Sequence, residues 1–312
     1  MNRRSLYISN FKFVFKVLLF IIFVIGYFYY VMPQYSGTYT ASLEDKVDRL
    51  TSIDEAKIVL LGNSNLTFGI NSEMIESEIG MPVVNMGLHA SAGNAFHEEM
   101  AKYNVTEGDI YIICHTEFSD NDSMSDVAFC WSILENHFEL WKILRPSDLY
   151  PMLESFPVYL KKCLNLYIEN SGNIDPGTVY GRSAFNKYGD ICLNREGGHY
   201  TFEKTIEPPP INTTTINRIN KLHKWLKERG ATLLVAGYPI GDGELTVKKK
   251  EFIEFQKKLE EKLDCTVISK YTDYMFDYKY FYDTEWHLSS EGADIRTVQL
   301  IEDIKNWKKL KE

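Results

Sequence analysis

Short runs of consecutive apolar residues alternate along most of this chain with longer segments whose apolar residues recur at helical spacing. The runs are KIVLLG (57–62), PVVNMG (82–87), DIYIIC (109–114), ATLLVAG (231–237) and CTVIS (265–269). They lack the polar alternation of a half-exposed strand, so they read as strands buried on both faces. Helices are expected over Ser42–Ser52, over Ser72–Ile79 ending at Gly80, and over 93–103. Further helices are expected over Thr214–Arg229, with Ile216, Ile219, Leu222, Trp225 and Leu226 on one side and Gly230 closing it, over Lys248–Leu263 and over Ser290–Leu310. Strand–helix alternation predicts a five-stranded parallel sheet with helices on both faces, joined by right-handed crossovers. In such a sheet the ligand site lies beyond the carboxyl ends of the strands, here the loops after Leu61, Asn85, Cys114, Ala236 and Ser269.

The alternation breaks between about 120 and 212. Amphipathic helical runs occur at Ser132–Leu144 and Leu153–Ile168, followed by a Gly/Asn/Tyr-rich stretch that EPPP (207–210) ends with a rigid turn. This reads as a largely helical insertion on the strand-end side, a lid or a partner-binding face. Phe138, Leu140, Trp141 and Leu144 form an apolar stripe on it, suited to core packing or to contact with a membrane protein.

The amino terminus is of another kind. Val17–Met32 carries no charge, and extension back to Phe13 gives about twenty residues, enough to cross a bilayer. Arg3, Arg4, Lys12 and Lys16 precede or enter the run, and Tyr27, Tyr29 and Tyr30 gather at its far end like an interfacial belt. The positive-inside rule then places the start in the cytoplasm and the rest outside: a single-pass cell-membrane anchor over 1–34, a linker and short helix over 35–54, and an extracytoplasmic domain over 55–312. A cleaved signal peptide is the alternative, although no A-x-A-like site follows directly; a buried soluble helix fits least, since the run has no polar face.

Charge narrows the partners. The net charge is −9, and the first 34 residues hold four bases and no acid, leaving 30 bases against 43 acids in the remainder, a balance of −13. That excludes a nucleic-acid partner, which needs clustered Lys and Arg. Five cysteines (114, 130, 163, 192 and 265) form no CxxC and read as small buried hydrophobes. No histidine spacing suggests a metal: His89, His97, His137, His199 and His223 are scattered. No cofactor is expected.

Three strand-end loops carry candidate chemistry. The first strand runs into Gly62-Asn63-Ser64-Asn65, which places a serine hydroxyl at the sheet edge where a nucleophile would stand. The second ends at Asn85-Met86-Gly87, where a glycine N–H could face the same pocket as an oxyanion donor. After the last strand comes FYDTEWHLSSEGA, with Asp283 and His287 just before the final helix. A serine nucleophile needs a general base, and the base needs an orienting carboxylate.

The order and wording of LLGNSN and FYDTEWHLSSEGA resemble the SGNH (GDSL-like) hydrolase superfamily, most closely its membrane-anchored branch acting on surface polysaccharides or teichoic acids. The resemblance covers about 55–120 and 213–308. It implies a flavodoxin-like three-layer sandwich, Ser64 as nucleophile, His287 as general base and Asp283 as its orienting partner. It also implies the N–H groups of Gly87 and Ser64 in the oxyanion hole. Two departures stand out. Asp283 lies four residues before His287 rather than three, with Thr284 in the usual place, so Glu285 is a rival for the orienting role. The third block, which in the family supplies an Asn, reads Cys114-His115-Thr116-Glu117-Phe118. His115, Glu117, Asn63, Asn65 and Asn94 are candidates to donate in its stead. The reading is an anchored serine esterase or O-acyltransferase working on an acylated surface glycan or polymer, with a membrane acyl-donor protein as a potential partner. The alternative is a catalytically silent binding or assembly protein on the same fold. Tyr180-Gly-Arg182 and Phe185–Asp190 are a polar-aromatic cluster read as loop or sugar contact, and GYPIGDGE (237–244) as a loop lining the cleft.

Overall fold

A computed structural model describes residues 3–119, 127–135, 138–172, 174–243 and 246–311. His137, Glu244 and the side chain of Phe138 lie outside the described set. The elements run α1 (Arg3–Gly26), α2 (Ser42–Ser52), β1 (Ile58–Leu61), α3 (Ser64–Thr67), α4 (Ser72–Ile79), β2 (Val83–Asn85), α5 (Asn94–Met100), β3 (Ile110–Ile113), α6 (Val127–Leu134), α7 (Pro146–Ile168) and α8 (Thr213–Lys227). They continue with β4 (Thr232–Val235), β5 (Ile240–Gly241), α9 (Lys249–Lys262), β6 (Thr266–Val267), β7 (Met275–Phe276) and α10 (Ser290–Lys309).

Five strands pair in parallel in the order β2-β1-β3-β4-β6. Successive strand residues point to opposite faces, and two cores result. Val59, Leu61, Tyr111, Ile113, Leu233 and Val235 pack against α2, α5, α8 and α9. Ile58, Leu60, Ile110, Ile112 and Leu234 pack against α4 and α10, through Ile75, Leu300, Ile301 and Ile304. A sheet covered on both faces needs apolar residues at every position, which is why the runs show no alternation. Helix ends follow their local chemistry. Asn71 caps α4 by accepting from Met74 N, and Gly80 closes it at φ 73°.

The insertion is not a detachable flap. Strand β2 would be an exposed edge, and side chains and backbone from three segments occupy it. Glu76 Oε2 accepts from Val83 N (3.0 Å) and Arg49 Nε donates to Val83 O (2.8 Å). Tyr188 O, from the insertion, accepts from Asn85 N (2.8 Å). Asp190 accepts from Asn85 Nδ2, Ser72 N and Ser72 Oγ. The 185–190 stretch, read from sequence as loop or sugar contact, thus serves to close the sheet edge. Burial pushes the Asp190 carboxyl up, with the hydrogen bonds of Asn85 and Ser72 opposing. Nearby, burial pushes Lys46 down to about 7 against the pull of Asp190, and its ammonium donates to the carbonyls of Asn85 and Gly189.

The apolar stripe on the insertion turns inward: Leu140 and Leu144 are buried, and Trp141 meets Trp131 at 4.9 Å between ring centroids. No disulfide joins the five cysteines among the described residues; four are buried and Cys192 is exposed. Phe11–Val31 is long and apolar enough to cross a membrane, and most of its side chains are exposed.

Candidate active site

Ser64 stands one residue beyond the β1 exit loop, at the first position of the single-turn helix α3. The turn forms because Asn63 caps it, its Oδ1 accepting from Asn65 N at 3.0 Å. Gly62 is needed for closeness: a Cβ there would come within 3.1 Å of Cys114 O. Asn65 is fully buried and structural. Its Nδ2 donates to Asn63 Oδ1 (2.7 Å) and Cys114 O (2.9 Å), and its own Oδ1 accepts from Arg296 (2.9 Å).

Arg296, on α10, is the pin of the site. The fully buried guanidinium donates to Asn65 O (2.6 Å), to Asn65 Oδ1 and to Gly237 O (3.1 Å). It fixes the serine turn to the last helix and to the β4 exit. Burial alone pulls its pKa down, and nearby Cys114 and Tyr274 oppose that.

The loop before α10 carries the histidine. His287 Nε2 lies 2.9 Å from Ser64 Oγ, and Nδ1 lies 2.8 Å from Asp283 Oδ1. Asp283, not Glu285, is therefore the carboxylate on the imidazole. Thr284 explains how four-residue spacing is tolerated. Its Oγ1 accepts from the N–H groups of Trp286 (3.2 Å) and His287 (3.1 Å), folding the intervening residues into a side-chain-capped turn. Phe68 lies flat on the His287 ring at 3.8 Å and 4°. Tyr180, from the insertion, donates to Asp283 Oδ2 at 2.5 Å. Partial burial pushes the Asp283 carboxyl up, but hydrogen bonds from His287 and Tyr180 outweigh it and hold it below the usual range.

Beside Ser64 lies a cavity of about 70 Å3 lined by Asn63, Ser64, Ala90, Asn94, Thr116, Glu117 and Trp286. The expected oxyanion donors divide here. Gly87 N–H is taken: it donates to Asn85 Oδ1 at 2.9 Å. Glycine is required there for another reason, since a Cβ would meet Leu66 Cβ at 2.7 Å. His115 is fully buried and turned away, its Nε2 2.9 Å from Glu98 Oε1. Glu98 is also held by Arg218. Asn65 is engaged as above, and Asn94 Nδ2 donates to Glu117 O (3.0 Å). The polar residues that reach the cavity beside Ser64 are Asn63, whose Nδ2 donates to Thr116 Oγ1 at 2.9 Å, Asn94, Thr116 and Glu117. An accepting hydroxyl still has its own proton to give. The Ser64 N–H makes no backbone hydrogen bond among the described residues. Glu285 sits close by, its carboxyl pushed up by burial and by Glu117, with Lys204 opposing.

Phe68 and Arg296 are not marked by any motif. Thr116 gave a signal only through its place in the loop after β3, and Tyr180 only as part of a polar-aromatic cluster read as loop or sugar contact rather than as a partner of Asp283. Of the 237–244 segment, Tyr238 stands behind the cavity wall, meeting Trp286 at 5.7 Å. Comparison of the chain with protein-family models, with curated proteins and with solved structures finds no match.

Proposed function

We propose that this chain is an SGNH-like serine esterase or O-acyltransferase, held at the outer face of a membrane by its first helix. The observation that carries the reading is the continuous Ser64–His287–Asp283 hydrogen-bond chain at the carboxyl edge of a parallel sheet. The strand order, with helices on both faces, supports a flavodoxin-like three-layer arrangement. Contacts of Tyr27 and Phe28 with α7 support a retained anchor over a cleaved leader.

In this reading His287 Nε2 takes the Ser64 proton as Oγ attacks an acyl carbonyl. The tetrahedral oxyanion rests on the Ser64 N–H and on Asn63 and Thr116. His287 then passes the proton to the departing alkoxide, leaving an acyl-serine. Water or a glycan hydroxyl, deprotonated by the same imidazole, releases the acyl group. Phe68 supports the imidazolium with its ring face. The membrane position favours an acylated surface glycan or polymer as substrate, and the two acceptors use the same residues.

The silent binding reading draws on one observation, the occupied Gly87 N–H. A fluorophosphonate probe separates the two. Wild-type protein is expected to label, and Ser64→Ala and His287→Ala to lose labelling altogether. A folded wild type that does not label would overturn the enzymatic reading.

A further inference from the structure

Helix α7 has three faces, not two. Successive residues of an α-helix are about 100° apart. Asp148, Met152, Tyr159 and Cys163 fall on one side and are buried. Glu154, Lys161 and Asn165 fall on a second, water-facing side. Between them runs a sector about 120° wide that holds Leu149, Tyr150, Leu153, Pro157, Leu164 and Ile168. All six are exposed; Tyr150 and Ile168 are each 71% accessible and Leu153 65%. Pro151 and Val158 are exposed outside the sector. A helix that only covered a core would need the first two faces. A third, apolar and open to solvent from Leu149 to Ile168 except at half-buried Leu160, calls for a covering phase.

The contacts of α1 say which. The sector is continuous with the end of α1. Phe156, at its edge, meets Phe28 at 6.2 Å between ring centroids, and Tyr27 Oη donates to Leu160 O at 2.5 Å. Glu135, on the core side, accepts from Tyr35 N and from Tyr159, so the chain leaving α1 is tied to α7 a second time. Where α1 leaves the bilayer, α7 must therefore lie at the bilayer surface. Tyr150 and Tyr167 belong to the residue type that favours that level, and Lys161 borders the sector where headgroups would stand.

We propose that α7 is an interfacial helix, its third face immersed among the upper acyl chains of the lipid leaflet that α1 exits. The proposal rests on α1 spanning a membrane. It fixes the orientation of the domain, since α6 packs on α7 and Cys130 of α6 reaches Ser91 O, next to the Ala90 that lines the Ser64 cavity.

The test uses the full chain in phosphatidylcholine–phosphatidylglycerol vesicles. Cys192→Ser removes the exposed thiol. Single environment-sensitive fluorophores are then placed through Leu153→Cys, Leu164→Cys, Glu154→Cys, Asn165→Cys and, as the depth control, Phe20→Cys. Nitroxide on the upper acyl chain is expected to quench positions 153 and 164 at least about threefold more than 154 and 165, with iodide in the water giving the reverse. Equal quenching of the two pairs, with position 20 quenched by lipid, would overturn the interfacial helix and leave the anchor standing. Positions 153 and 164 shielded from both quenchers would also overturn it, showing a protein cover. Position 20 unquenched by lipid would remove the anchor and the interfacial helix together. All five positions are exposed, and an unchanged Tm of each variant shows that its fold is intact.

Discussion

Two histidine–carboxylate pairs of nearly equal length sit on neighbouring loops of this molecule. His287 and Asp283 are 2.8 Å apart; His115 and Glu98 are 2.9 Å apart. Their surroundings differ. The second nitrogen of His287 faces a serine hydroxyl beside a cavity, and the second oxygen of Asp283 faces a tyrosine hydroxyl at the surface. His115 is sealed, its Nδ1 has no hydrogen-bond partner among the described residues, and its carboxylate is shared with Arg218. A histidine–carboxylate pair is therefore not a site in itself. What distinguishes the catalytic candidate is a hydroxyl at the second ring nitrogen and a cavity that reaches it.

The contrast can be broken first at Asp283. Asp283→Asn keeps the shape and loses the charge that fixes the imidazole tautomer. Fluorophosphonate labelling is expected to slow by roughly 10^3 to 10^4, read as a rate under pseudo-first-order conditions, with Tm little changed. The same exchange at the other pair should do the opposite. Glu98→Gln removes the charge from a buried carboxylate that holds both Arg218 and His115, at about 3–5 kcal/mol of stability, read by denaturant unfolding. The folded fraction should label at the wild-type rate; a loss of labelling in still-folded Glu98→Gln would make the buried pair part of the chemistry.

Tyr180→Phe sharpens the comparison with a smaller effect. It removes one hydrogen bond that favours the charged form of Asp283, so the carboxylate becomes more basic and draws the imidazole proton more strongly. The acid limb of the labelling profile, which belongs to the coupled pair, should move to higher pH. At neutral pH the rate should fall by about two- to tenfold. A limb that stays in place would reduce Tyr180 to a packing residue.

A last, still smaller effect belongs to the insertion. Burial lifts the Glu135 carboxyl to about 8, against hydrogen bonds from Tyr159 and Tyr35 N. A group whose folded pKa is raised stabilises below its unfolded pKa, and that stability is lost as pH rises through the folded value. Glu135 should therefore favour the fold most below about 4.5, and beyond about 8 its buried charge should oppose it. Glu135→Gln should flatten this dependence and raise the Tm at pH 9 by roughly 2–4 °C.

The sheet was legible because its residues answer to a local rule. Runs such as IVLL and IYII have no polar alternation, and a strand buried on both faces is the arrangement that needs none. Helices bounded by Asn71 and Gly80, or by Asn212 and Gly230, carry their own stop signals, and the structure places them within about two residues of the expected ends. Asp283 and His287 were legible as a pair because they share one turn. Their neighbours were not. Tyr180 lies 103 positions from Asp283, in a segment whose composition suggests loop. Arg296 reads as an ordinary polar residue of an amphipathic helix until the turn of Asn65 comes down upon it. Gly87 shows the opposite error. Its type and place suited a backbone donor, but side-chain direction at Asn85, settled by tertiary packing, had already taken the proton. Thr284 carried information in its spacing that only hydrogen-bond geometry could decode.

Arg296 and His287 both belong to the final stretch of chain, and Ser64 is 223 positions ahead of the histidine. A polypeptide delivered amino end first, at roughly 5–20 residues per second, emerges with Ser64 about 11–45 s before the histidine that faces it. Through that interval the hydroxyl is an ordinary alcohol, and in the proposed reading a product truncated before Asp283 and His287 stays inert. In the proposed reading, reactivity is thereby timed to the arrival of the segment that carries His287.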